Sequence, residues 1–275
     1  MTTQTITPSL TQEINVGGLN YARIVRSEWT KLRSLRSTGY ALLAAVTMLI
    51  AFGIIDSASI VSNWPTLSAK EKASFDPLLA SLRGIDGAQL AIGILGVLAL
   101  TGEYTTGMIR STFTAVPKRL PVLWAKATVF GAVSLALTVP TALIAFFASQ
   151  SILDGQHISI AFSHPGVPQA VIGAALYLTA LGLFALGLGA LIRNTAGAIA
   201  ALVATIFVLP ALVNVLPPSL KDTIGPYLPA NAGSAITSIH PAPHTLAPWT
   251  GLGLLCAYPA ATLLAAALLL HRRDI

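Results

Sequence analysis

The sequence predicts an all-α polytopic membrane protein with six transmembrane helices. Charged residues are scarce, long apolar runs recur, and the basic residues gather on alternate connections. Of 275 residues only 9% are Asp, Glu, Lys or Arg and 54% are hydrophobic. Mean hydropathy is +0.75, whereas a soluble domain carries roughly 25% charged residues. A hydrocarbon core about 30 Å thick is crossed by about 20 helical residues, so six spans take up about half of such a chain. A soluble enzyme does not fit this composition.

Six runs stand out by length and lack of charge. The first is Tyr40 to Val61, with Asp56 near its far end, and the second is Ile85 to Thr101, containing Gly93 and Gly96. The third, Val122 to Phe147, contains Pro140. The fourth, Gln169 to Ile192, and the fifth, Ala196 to Leu216, flank the short turn Arg193, Asn194, Thr195. The sixth is Trp249 to Leu270, with Pro259 inside it and His271, Arg272 and Arg273 after it. In a bundle the carbonyls freed by Pro140 and Pro259 find partners on neighbours, so both runs are expected to stay helical. Gly197 with Ala201, and Ala200 with Ala204, are expected to form a small-residue face against which another helix packs. Residues 1–38 are polar, and the first run comes too late and is too long for a cleaved signal peptide, so the first span is expected to remain as an anchor. Cys256 is the single cysteine, which excludes an intrachain disulfide, and it reads as a small buried residue.

Orientation follows from the basic residues. With the N-terminus inside, the inner segments hold Arg23, Arg26, Lys31, Arg33, Arg36, Arg110, Lys118, Arg119, Lys126, Arg193, Arg272 and Arg273. The outer ones hold only Lys70, Lys72, Arg83 and Lys221. That asymmetry places both ends in the cytoplasm of a multi-pass protein of the cell membrane. Acidic residues lean the other way, with Glu13, Glu28, Glu103 and Asp274 inside and Asp56, Glu71, Asp76, Asp86, Asp154 and Asp222 outside. The pI of 9.7 is accounted for by topology and anionic lipid, and a nucleic-acid partner is not indicated.

Between Tyr21 and Arg36 a 100° wheel puts Tyr21, Ile24, Val25, Trp29, Leu32 and Leu35 on one side and Arg23, Arg26, Lys31 and Arg33 on the other. This is an amphipathic helix suited to the inner interface. Glu28 falls inside the apolar stripe, where an unpaired carboxylate is costly. It either reaches the headgroups or has a partner, for which a nearby arginine is the obvious candidate. After the second run comes TGEYTTGMIRSTFTAVPKRLPVLWAKA. In it Glu103, Gly107 and Arg110 share a helix face by their three and four spacing, which predicts a short surface helix, ended by Pro117 ahead of Lys118 and Arg119.

The order of an amphipathic RIVRSEWTKLRS helix, a span, a long outer loop, a second span ending in GEYTTGMIR, and four more spans resembles the membrane subunits of type 2 ABC transporters. The EWTKLRS string, with Glu28, Trp29, Lys31 and Arg33, is similar to the start of many such permeases from high-GC bacteria. The resemblance implies that residues 39–275 form a permease domain and residues 1–38 a cytoplasmic tail bearing the interfacial helix. It implies a second permease copy or homologue, and two ATP-binding subunits docked on the cytoplasmic face. It also implies that Glu103, Tyr104, Gly107 and Arg110 belong to a coupling helix seated in a cleft of the ATPase. No G-x-x-x-x-G-K-[ST] phosphate loop occurs in the sequence, so ATP hydrolysis is expected on a partner and no cofactor on this chain.

The proline-rich stretch 217–248 is too long for a plain turn and too moderately apolar for a full span. In the resembled family this region folds as short helices that dip back into the outer leaflet, and Gly225 to Ile239 suits that. His240 and His244 are four apart, but Pro241 and Pro243 prevent the helix that a metal pair of that spacing needs. His157 and His164 lie on the other long outer loop. No metal site is expected, and no Ser, His and Asp arrangement indicates hydrolase chemistry. A secondary transporter would place an ionisable residue near the bilayer centre, yet every Asp and Glu maps to a loop or a span end. A non-transporting sensor or assembly protein is the other alternative. The Ala, Leu, Val and Gly of the spans suit an apolar or amphipathic cargo.

Overall fold

Every regular element among the described residues is helical, as expected where apolar runs must satisfy their own backbone hydrogen bonds. The computed structural model describes residues 20–105, 107–108, 119–240 and 245–272. Helix α1 (Tyr21–Ser34) starts at Asn20, whose side chain accepts from the Ala22 amide, and ends where Leu35 turns extended. Helix α2 (Arg36–Asn63) follows at once. Two short helices, α3 (Ala69–Ala73) and α4 (Pro77–Ser81), are capped by Ser68 and Asp76. Then come α5 (Ile85–Thr105), α6 (Arg119–Leu153), α7 (Val167–Ile192) and α8 (Thr195–Asn214). Short helices α9 (Pro218–Ile224) and α10 (Pro229–Thr237) lead to α11 (Pro248–Arg272).

Six of these, α2, α5, α6, α7, α8 and α11, are long and apolar enough to cross a membrane. Most of these helices extend past the apolar runs that announce them, while α8 ends at Asn214, two residues short of its run. Arg36 begins α2, Thr105 ends α5, and α6 takes in Arg119 through Leu153. Polar residues thus continue the helices beyond the hydrocarbon, where side chains rather than hydropathy decide the ends. Helices α6 and α11 run without interruption through Pro140 and Pro259.

Helix α7 is the centre of the bundle. Its most apolar window is 78% buried, against 22% for α2, α8 and α11, and it packs on α5, α6, α11, α10 and α8. The α5 to α7 crossing is close because a Cβ at Gly96 would overlap the carbonyl oxygen of Gly182. Helix α8 approaches α5 in a way the small residues of its own sequence do not foretell. Its inward face is Ala198, Leu202 and Ile206, not the pairs Gly197 with Ala201 and Ala200 with Ala204. The close approach comes from α5, where Leu202 sits on Gly93. Past Val203 the helix widens into a π turn over Ala204–Val208, with the Leu209 amide donating to the Ala204 carbonyl. Pro210 has no N–H and its ring crowds the carbonyl four residues back, a setting in which such widening relieves the clash.

At the end of the bundle away from α1, residues 218–237 of the proline-rich stretch form α9, a 3-10 turn (Gly225–Tyr227) and α10. Helix α10 packs into the bundle: Ile236 lies on Gly173 and Gly233 lies on the Tyr177 ring. These α7 positions are six and ten residues from its start at Val167, about 9 and 15 Å along the axis, so α10 dips between the spans. Cys256 is exposed on the outer surface of α11; the single cysteine is not the small core residue its apolar neighbours suggest.

Candidate functional site

The α1 end of the bundle holds four charged side chains that lipid and protein should both exclude. Glu28 of α1, Glu103 of α5 and Lys126 of α6 are each buried to 5% exposure or less, and Lys31 of α1 completes the group. The Lys31 Nζ donates to Glu28 Oε1 at 2.7 Å and to Glu103 Oε1 at 3.1 Å. Lys126 Nζ donates to Glu28 Oε2 at 2.5 Å and to Glu103 Oε1 at 2.8 Å. Two ammonium groups and two carboxylates make a neutral cluster, the condition under which buried charge is tolerated.

The sequence dictates each position locally. Glu28 and Lys31 are one turn apart on α1, so both reach the same side of the helix. Ile24, one turn earlier, packs with Val122 and Ala125 of α6 and turns that side of α1 towards the bundle. Tyr21 Oη lies 3.1 Å from Thr128 Oγ1 as a second tie to α6. Glu103 is in the last turn of α5 and Lys126 in the second turn of α6. The cluster therefore joins the interfacial helix to the two spans that bracket the 106–118 connection. Desolvation alone would lower the Lys31 pKa, but hydrogen bonds and charge from Glu28, then Glu103, outweigh it and hold the ammonium above its ordinary value.

A second polar joint lies beside the first. Arg193 ends α7 in the left-handed conformation, φ 55°, and its guanidinium stacks 5.6 Å from the centre of the Tyr104 ring. Thr195 Oγ1 donates to Thr101 Oγ1 at 2.9 Å. The α7 to α8 turn is thus fastened to the end of α5, next to the residue that enters the charge cluster.

Several sequence expectations change here. Glu28 neither reaches out to headgroups nor pairs with an arginine; its partners are Lys31 and Lys126, because Arg23, Arg26 and Arg33 project from the exposed side of α1. Glu103 is not on a surface helix shared with Gly107. It belongs to the buried end of α5, and Gly107 has φ +71°, a left-handed conformation that interrupts the helix after Thr105. Arg110 lies outside the described residues, as do Lys118, Pro241, Pro243 and His244. Trp29 is 46% exposed, at the edge of the apolar stripe. The residue that sequence reading missed is Lys126. Its signal was present, since it is the one charge inside the run from Val122 to Phe147, and a lone charge in a span demands a partner.

A cavity of about 290 Å³ opens against the cluster. Glu28, Lys31, Glu103 and Lys126 line it together with Leu32, Leu35, Leu98, Ala99 and Val129. No group of three or more His, Cys, Asp or Glu residues able to hold a metal occurs among the described residues.

No family model matches the chain, and no curated protein aligns with it. What fold and site define is a class: an all-α multi-pass membrane protein with a buried, charge-neutral joint between an amphipathic helix and two of its spans.

Proposed function

We propose that this chain is the transmembrane subunit of an ATP-driven ABC transporter, exporting an apolar or amphipathic compound through the cell membrane. Two separate ATP-binding subunits would supply the drive, and a second copy or a homologue would complete the pathway. The observation that carries the reading is the charge cluster of Glu28, Lys31, Glu103 and Lys126. It ties an interfacial helix to both spans flanking the 106–118 connection. A push delivered to that connection by an ATPase would therefore move α1, α5 and α6 as a unit. Tyr104, stacked on Arg193, would pass the same displacement to α7 and α8.

A secondary transporter fits less well. The ionisable residues of the cluster gather at the α1 end of the bundle and neutralise one another, whereas proton or sodium coupling calls for an ionisable group near the bilayer centre. A sensor or assembly role has no observation of its own in favour.

The test is replacement of Glu103 and of Arg110, each by Ala, in cells that also express the candidate ATPase subunit. Both variants are expected to insert in the membrane, to lose transport, and to co-purify less ATPase. Undiminished transport in both would overturn the coupling reading.

A further inference from the structure

The end of the bundle away from α1 holds another cavity, of about 260 Å³, walled by α4, α5, α7, α8 and α10. Gln89 of α5 lines it and is itself buried to 4% exposure. Its Oε1 accepts from Tyr177 Oη at 2.5 Å, and the Tyr177 ring is held by Gly233 of α10. The amide nitrogen carries two N–H donors and has no hydrogen-bond partner among the described residues. The unpartnered side-chain atoms sealed from solvent belong to Ser57, Glu103, Ser134, Ser149 and Arg193. Gln89 Nε2 is not one of them, so it is reached from the cavity that its residue lines. A guest that arrives there has to accept a hydrogen bond, because a buried donor left without one is costly. The π turn of α8 supplies Ile206 and Phe207 to the opposite wall, and such widenings recur at functional sites.

The rim of the cavity is charged. Arg83, between α4 and α5, and Asp86, in the first turn of α5, both line it, and neither side chain makes a hydrogen bond or ion pair among the described residues. An adjoining cavity shares Leu79 and Arg83 and adds Asp56, Glu71 and Asp76. One guanidinium thus stands among four carboxylates, which favours an anionic group that brings its own cation. Asp86 and Gln89 are one turn apart on α5, about 4.5 Å along the axis, so the neutral donor lies further into the bundle than the charges. Leu82 and Ile206 are buried beside it, while Leu79 and Phe207 are exposed and carry the apolar lining out to the surface of the bundle. We propose that this cavity binds a zwitterionic diacyl glycerophospholipid from the leaflet at that end of the bundle. Its phosphate pairs with Arg83, its ammonium with Asp86, and an ester carbonyl one glycerol unit below accepts from Gln89 Nε2. The first methylenes of the chains lie along Leu82, Ile206 and Phe207. The volume, just under the range of ligand pockets, suits the head and glycerol with the tails left in the bilayer. The assignment rests on this cavity alone and not on the transport reading.

The test uses the full-length protein in detergent micelles with equimolar diester phosphatidylcholine, diether phosphatidylcholine and diester phosphatidylglycerol of matched chain length, reading bound lipid by native mass spectrometry. The diester choline lipid is expected to be retained about tenfold over its diether analogue, which lacks the carbonyl, equivalent to about 1.4 kcal/mol. It is also expected to be retained over phosphatidylglycerol, whose charge the acidic rim repels. Gln89→Leu removes the donor and should bring the diester and diether lipids to parity. Arg83→Gln is an exposed change that leaves the amide in place. It should lower retention of both choline lipids while the ester preference persists, and it guards against a Gln89 variant that fails to fold. Equal retention of diester and diether lipid by the unmodified protein is the mark of an annular lipid only and would overturn the proposal. So would a preference for phosphatidylglycerol, an ester preference that survives Gln89→Leu, or undiminished retention by Arg83→Gln. No ATPase subunit enters the assay, so its failure leaves the transport reading untouched.

Discussion

Glu28 has each carboxylate oxygen held by a different ammonium, Oε1 by Lys31 and Oε2 by Lys126. Replacement by Gln removes one negative charge and leaves the cluster at +1, while replacement by Lys leaves it at +2 with three ammonium groups around one carboxylate. Breaking a buried pair in this way costs about 3–5 kcal/mol. Glu28→Lys is therefore expected to fail to accumulate as folded protein, with Glu28→Gln milder, as judged by thermal unfolding in detergent. Equal loss in the two would show that charge sign does not matter at this position. Lys31 predicts a pH dependence with a definite sign. Its native pKa lies above the ordinary 10.5, so its contribution is fully present below that value and is lost as pH rises through the native pKa. The Lys31 contribution to the melting temperature should be constant between about pH 7 and 9, and at strongly alkaline pH the melting temperature should fall more steeply than in Lys31→Met. Identical alkaline limbs would remove the linkage.

Among the elements, α5 governs the packing because its glycines receive other helices. Gly93 seats Leu202 of α8, and Gly96 meets Gly182 of α7. Gly96→Leu is expected to force α5 and α7 apart, costing more than the 1–3 kcal/mol of ordinary overpacking because the obstacle is backbone. Size-exclusion chromatography should show an aggregated or absent protein, and a monodisperse wild-type-like peak would contradict the crossing. Sequence reading located all six span helices, since hydropathy alone sets where a chain prefers lipid. It could not assign their contacts. The small residues of α8 looked like a packing face, but packing depends on which neighbour lies opposite, and that is fixed by the whole bundle. The interfacial helix was legible too, with Glu28 correctly marked as a residue in need of a partner. Its partner Lys126 lies 98 residues away, beyond the reach of any local pattern.

On the scale of the whole molecule, α7 is enclosed by five other helices while α2, α8 and α11 turn apolar side chains such as Phe52, Leu212 and Leu268 outward. Those faces are what a bilayer or a second subunit would cover. The sorting of basic residues predicts that α1 and the C-terminal end of α11 share the cytoplasmic side. In a Cys256→Ser background, Lys70→Cys should react with a membrane-impermeant maleimide in intact cells, and Ser34→Cys only after lysis. Reaction at position 34 in intact cells would invert the topology. The sequence by itself determined the class, the spans and the expected sidedness, because transfer into hydrocarbon is a sum over residues in a local window and the positive-charge rule is a count over short loops. Only the tertiary structure decided that Glu28, Lys31, Glu103 and Lys126 form one neutral cluster. Buried charges from three helices can be matched only after the helices are packed, and the low-dielectric surroundings that make the match matter exist only in the assembled bundle.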